Sequence, residues 1–345
     1  MKRFQLCTLF VAALAASAGA QAQVTLSGFI DVNMEKIKSG GLNASRVSSG
    51  GLNTSRLQFK AEEDLGGGLR AKAVHEMTFA ADTGAQGTPR ETYVQLASKD
   101  WGEVSLGRQN LPSYYLYGYA DPSFSSDYSR VSNMMVFFAP FRENNAVAYN
   151  SPRMAGLQLK LLATTGKEDG SKNGRVTSVA VDYRNGPLFV GFAADKKYQS
   201  NIFAPARMES ARDNYLAAVY TLGQADLTFI YHTYNGYYAF PPFVDFRSSG
   251  HDIQIGTRYN INSLSRVFAS LVRKNDKNDT SLSDATGVVV GYLHGLSKRT
   301  HLYATYATTH HSKNSPIRYP VAFGAANPLA NENPQGIQLG IRHAF

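Results

Sequence analysis

From residue 24 onward, apolar and polar side chains alternate at every second position in one segment after another. Residues 251–260 place Ile253, Ile255, Thr257 and Tyr259 on one face and Asp252, Gln254, Gly256 and Arg258 on the other. Residues 336–345 set Ile337, Leu339, Ile341, His343 and Phe345 against Gln338, Gly340, Arg342 and Ala344. A period of two is the mark of a β-strand whose faces meet different surroundings. The pattern predicts sixteen strands, at 24–36, 55–64, 68–78, 90–97, 102–109, 144–151, 156–166, 175–185, 187–198, 212–222, 225–235, 251–260, 264–273, 286–295, 299–309 and 336–345. Their connections alternate. Short turn-like links such as 64–68, 98–102 and 260–264 are followed by long polar ones at 37–54, 79–89, 110–143, 167–174, 199–211, 236–250, 274–285 and 310–335.

Even strand number, short turns at one end and long loops at the other predict an all-β, 16-stranded antiparallel transmembrane β-barrel. The physical reason is backbone satisfaction, since a closed sheet leaves no unpaired edge in hydrocarbon. Sixteen strands enclose a lumen too wide for side chains to fill, so the inward faces are polar. A soluble β-sandwich alternates too, but sixteen strands overfill a single one.

The first 22 residues have a different pattern. Lys2 and Arg3 precede an apolar stretch, and Ala18-Gly19-Ala20 and Ala20-Gln21-Ala22 both fit a small-x-small cleavage site. This is a secretory signal peptide, with cleavage expected after Ala22 (or Ala20) and a barrel domain over 23–345. The single cysteine, Cys7, leaves with it, so the exported chain has no thiol for a disulfide, a nucleophile or a metal. Losing Lys2 and Arg3 lowers the net charge from +9 to +7. A mean hydropathy of −0.27 argues against a helical membrane bundle, and 12% aromatic residues argue against disorder.

Several stretches resemble the general trimeric porins of Gram-negative outer membranes, in their β-proteobacterial and neisserial branch. They are Val24-Thr25-Leu26-Ser27-Gly28, Ser55-Arg56-Leu57-Gln58-Phe59-Lys60 with Glu63-Asp64-Leu65-Gly66-Gly67-Gly68-Leu69, and Arg90-Glu91-Thr92-Tyr93-Val94-Gln95-Leu96. Leu106-Gly107-Arg108-Gln109, Arg142 to Tyr149, Leu296 to Thr300 and the final Gly340 to Phe345 continue the likeness in order. The resemblance implies a homotrimer in outer-membrane lipid and lipopolysaccharide that passes small hydrophilic solutes and inorganic ions. It implies a long third loop, here 110–143, folded into the lumen. It places wall arginines at Arg56, Arg90 and Arg142, opposed by loop acids at Asp121 and Asp127, and it gives terminal Phe345 a part in assembly.

Arginine keeps its charge at any relevant pH, and rings of charge select ions by sign. With the +7 balance, this predicts an anion-preferring diffusion pore. Strand parity turns Arg56 inward, with Lys60, Arg70 and Lys72 along the vestibule. Arg90 shares parity with outward Val94 and Leu96, which suits a rim position as well as the lumen. Arg108 has outward parity and either supports the loop or reaches for the interface; Arg130 lies within the loop. Tyr114, Tyr115, Tyr117 and Tyr119 either line the passage or pack the loop against the wall. Two other functions stay open: a channel specific for a sugar or an aromatic or organic anion, and a surface receptor or adhesin. None of the eight histidines sits in a nucleophile or zinc motif, and Gly66-Gly67-Gly68 lacks the Lys-Ser/Thr of a phosphate loop. No enzyme activity, cofactor, metal or nucleic-acid partner is expected.

Overall fold

The computed structural model describes residues 23–345 apart from 138, 202, 241–243, 278–282, 313–314 and 316. The expected leader, 1–22, lies outside the described residues. Among the described residues seventeen strands follow one another: β1 (Gln23–Ser39), β2 (Leu42–Ser49), β3 (Arg56–Gly66), β4 (Leu69–Phe79), β5 (Gln86–Ser98), β6 (Gly102–Asn110), β7 (Arg142–Asn150), β8 (Leu157–Thr164) and β9 (Val176–Asn185). Then come β10 (Leu188–Ser200), β11 (Met208–Leu222), β12 (Ala225–Phe240), β13 (Val244–Asn260), β14 (Ser265–Asp276), β15 (Ala285–Gly295), β16 (Thr300–His311) and β17 (Gln335–Ala344). A helix, α1 (Pro112–Ala120), and a π turn (Val131–Met135) lie between β6 and β7.

Neighbours pair antiparallel throughout, and β17 returns to β1 in a ladder from Phe29↔Ala344 to Lys38↔Gln335. The sheet therefore closes. The seventeen segments form sixteen staves, because β2 and β3 both pair with β1 and are one stave broken at 50–55. The expected long loop at 37–54 is thus mostly a hairpin, and the expected loop at 236–250 is largely taken up by longer strands. The break turns at Gly50, whose φ of +86° suits glycine. Asp31 repairs its backbone: one carboxylate oxygen accepts the N–H groups of Leu52 at 3.1 Å and Asn53 at 2.9 Å.

Burial is inverted relative to a water-soluble protein. On β1, Ile30 and Met34 are exposed, while Asp31, Asn33 and Glu35 on the opposite face are covered. On β13, Ile253 and Ile255 face out, and Asp252, Gln254 and Arg258 are buried. This is the arrangement for lipid outside and a polar lumen inside. A lysine or arginine on the lipid face costs about 2–4 kcal/mol at the bilayer midplane and little near the interface. Accordingly, outward-facing Lys36 and Lys38 sit at the loop end of β1.

The closing seam is tight at its turn end. The Gly28 N–H donates to the Phe345 carbonyl at 3.3 Å, and the Phe345 N–H donates to Gly28 at 3.1 Å. A side chain on Gly28 would meet the Arg56 carbonyl and the Phe345 ring. Overpacking of this kind costs about 1–3 kcal/mol. Gly28→Val is therefore expected to lower the temperature at which the compact barrel band disappears on electrophoresis. An unchanged temperature would mean that the seam has slack.

Candidate functional site

Three arginines meet on the wall formed by β3 to β7. Arg56 points inward and donates through Nη1 to Glu76 Oε1 at 3.2 Å. Its other terminal nitrogen bonds Asn53 Oδ1, and its guanidinium lies 4.7 Å from the Phe29 ring centre. Arg90 Nε donates to the same Glu76 oxygen, and Gln58 donates to the second at 3.0 Å. Arg90 reaches this place although simple alternation directs it outward. The β4–β5 ladder slips between His75 and Met77 and again before Phe79, and the extra residues turn Arg90 into the lumen. Arg142 opens β7, donates to Asn110 Oδ1 at 2.8 Å and stacks 4.7 Å from Phe141. Arg56 and Arg90 thus share the carboxylate of Glu76 while Arg142 has no ion-pair partner among the described residues, so these four side chains together carry +2. Arg90 and Arg142 line a cavity of about 200 Å³, closed on its far side by Tyr114, Tyr117 and Val136.

The segment 111–141 supplies that far side. Pro112 at the start of α1 suits a first turn whose N–H groups lack partners. Ser113 donates to Asp195 on β10 at 2.5 Å, Leu116 occupies the space left by Gly191, and Tyr117 packs 5.4 Å from Tyr215. Tyr215 stacks on His232, whose ring nitrogens face Asp252 at 2.8 Å and Asp213 at 3.1 Å. Lys274 also reaches Asp252, at 3.0 Å. Wall residues of inward parity therefore grip the helix through rings and charge.

The two expected loop acids do not oppose the arginines. Asp121 is fully buried and accepts from the Ser123 N–H and Oγ, the Ser125 N–H and Ser129 Oγ, at 2.6–3.0 Å. Both of its oxygens serve the turn at the tip of the segment. Asp127 lies on the opposite side, where its Oδ1 accepts the Phe323 N–H at 2.8 Å. Burial, reinforced by nearby Glu35, pushes its carboxyl up to about 8. Arg130 is also removed from the passage. It is completely buried and donates to the carbonyls of Tyr128, Pro320 and Val321 and to Thr309 Oγ1.

The remaining expected residues divide. Lys60 and Arg70 face inward and share Glu62 at 2.7 and 3.2 Å, and Lys72 lies over the Tyr93 ring. Arg108 has outward parity and bonds the Pro89 carbonyl and Asn144 at the loop end of the wall. Tyr114 borders the arginine cavity, Tyr115 donates to Glu91 at 3.0 Å, Tyr117 is buried and Tyr119 is exposed. Glu76 was missed by the sequence reading, because β4 alternates weakly around it: Val74 and Thr78 share its inward face. Inward Arg184, Arg258, Arg266 and Arg342 were likewise unassigned, although alternation places the second and last of these on polar faces.

A family model described as "Gram-negative porin" matches residues 8–314. The chain is 31% identical to outer membrane porin protein 32 of Delftia acidovorans over 99% of each chain. It is 27% identical to an outer membrane porin protein of Bordetella pertussis, with 100% of both chains covered. Among solved structures it resembles an anion-selective porin from Comamonas acidovorans, with a TM-score of 0.82, 24% identity and coverage of 94% of this chain and 100% of that one. The channel DcaP of Acinetobacter baumannii gives 0.71 at 13% identity over 95% and 98%. A trimer form of OmpT from Vibrio cholerae gives 0.65 at 14% over 94% and 99%.

The Asp127 geometry has a pH consequence. A carboxyl raised on folding stabilises fully below its ordinary pKa of 3.8 and loses that contribution as pH rises through about 8. The thermal midpoint of the wild-type barrel is therefore expected to fall more between pH 6 and pH 9 than that of Asp127→Asn. Parallel curves for the two proteins would show that this carboxyl titrates normally.

Proposed function

The chain belongs to the Gram-negative porin family and forms an outer-membrane diffusion channel, and from that premise we propose that Arg56, Arg90 and Arg142 form an anion-preferring constriction against the segment 111–141. One observation carries the reading: Arg56 and Arg90 share one carboxylate and Arg142 has none among the described residues, while Asp121 and Asp127 are spent on structure elsewhere. A fixed positive field in a narrow passage concentrates anions and repels cations. The Debye length is about 10 Å at 0.1 M salt, so the field spans a narrow passage at moderate ionic strength and weakens in concentrated salt. Aromatic rings under Arg56 and Arg142 hold the guanidiniums in place without neutralising them. Export with loss of residues 1–22 and assembly as a homotrimer in lipopolysaccharide-bearing membrane complete the proposal. The selectivity named for the Comamonas porin and the trimer form of OmpT are consistent with it.

The test is the reversal potential across a planar bilayer under a KCl gradient. Wild-type protein is expected to be anion-selective. Arg142→Gln removes a charge with no carboxylate partner and should reduce the anion-to-cation permeability ratio more than Arg56→Gln or Arg90→Gln. Glu76→Gln should raise the ratio. A cation-selective wild type, or arginine variants that leave the potential unchanged, would overturn the proposal.

A further inference from the structure

A second cationic pocket lies apart from the arginine wall, near the short 261–264 turn between β13 and β14. It has about 290 Å³ of space and is lined on one side by Arg266, Arg342 and His301, and on the other by Phe124, Leu52 and Leu293. That is room for roughly ten waters. Short turns mark the periplasmic end of such barrels, so the pocket opens into the periplasmic vestibule. Neither Arg266 nor Arg342 forms an ion pair among the described residues. Arg266 spends Nε on Asn260 Oδ1 at 2.6 Å. Asp31, the cross-strand partner of Arg342, already accepts from Tyr303, Leu52 and Asn53. His301 Nδ1 is buried without a hydrogen-bond partner.

The apolar wall is held there at a cost. Phe124 has a φ of +57° and Ser125 a φ of +54°, in the left-handed region that bulky residues avoid. Such strain amounts to about 1–3 kcal/mol per residue and persists only where surrounding contacts enforce it. Here Asp121 enforces it through the Ser123 and Ser125 N–H groups. The result is a Phe124 ring 5.2 Å from the Arg258 guanidinium and 5.4 Å from that of Arg266.

We propose that this pocket is a binding subsite for a small carboxylate with an apolar body, such as an aromatic monocarboxylate. The arginines would receive the carboxylate, for which the planar guanidinium is suited, and Phe124, Leu52 and Leu293 would cover the ring. A neutral sugar would find acceptors on Asn262 and Ser265 but would leave the charge of Arg266 and Arg342 unmatched. A bare halide gains nothing from the apolar wall. The inference rests on the chain being an open channel, but not on the sign of selectivity at the constriction.

Single-channel current in KCl, with sodium benzoate or sodium acetate added to either side, tests it. Benzoate on the short-turn side should interrupt the current with saturating concentration dependence, and acetate should not. Arg266→Gln and Arg342→Gln should each raise the half-saturating benzoate concentration about tenfold, or about 1.4 kcal/mol. Phe124→Gly removes the ring while relieving the backbone, so it should fold at least as well and still weaken the benzoate effect severalfold. Arg142→Gln should shift the reversal potential and leave benzoate half-saturation in place. Equal behaviour of benzoate and acetate, an unchanged response in the folded Phe124→Gly barrel, or loss of the benzoate effect in Arg142→Gln would overturn the subsite.

Discussion

An amide group in hydrocarbon has no water to fall back on, and each one left unpaired costs several kcal/mol. Most of this molecule follows from that constraint. It makes β17 return to β1. With the sheet closed, the surrounding hydrocarbon takes the apolar side chains and leaves Asp31, Glu76, Asp252 and Arg258 the inner face. The same constraint governs the defects. Where the stave between β2 and β3 breaks, Asp31 takes up the stray N–H groups. Where the β4–β5 ladder slips, the displaced side chain is an arginine facing a carboxylate rather than an apolar residue facing water.

The inward-folded polar surface would leave a wide conduit if nothing else occupied it. The segment 111–141 packs against one side of the wall. Leu116, Tyr117, Met134 and Met135 pack in a common apolar cluster with Tyr215, Ile230 and Val272 from the β11, β12 and β14 walls. A space of about 200 Å³ remains between the segment and the side on which Arg90 and Arg142 stand. Packing on one side and charge on the other are therefore two aspects of one arrangement: the apolar contact fixes how far the segment stands from the guanidiniums.

Much of this was legible in the sequence because side-chain parity and backbone pairing obey the same period. Strand number, closure and the inward direction of Arg56 all follow from it. Parity fails where the register shifts, and a shift leaves no mark in residue type. The β4–β5 slip re-aims Arg90, and Asn145, at a φ of +53°, accompanies the irregularity that seats Arg142 beside Asn110. The loop acids misled for a different reason. An aspartate on a pore loop suggests a field, but Asp121 is followed by serines two, four and eight positions on, and it serves as their acceptor. That spacing describes a self-satisfied turn.

The bonds that hold the segment also bear on the order in which the chain can fold. Arg130 is fastened to Val321, 191 positions later, and Asp127 to Phe323, 196 later. Tyr128 reaches back 93 residues to Glu35. Contacts of such separation form late, because chain entropy must be spent before they give any return. An N-terminal half, even with its hairpins in register, cannot set the width of its own passage. The loop settles only when the segment preceding β17 arrives, in the same stage that brings the two ends of the sheet together. Sealing of the cylinder and calibration of its bore thus become a single kinetic event, and a chain stalled before it would be leaky as well as open.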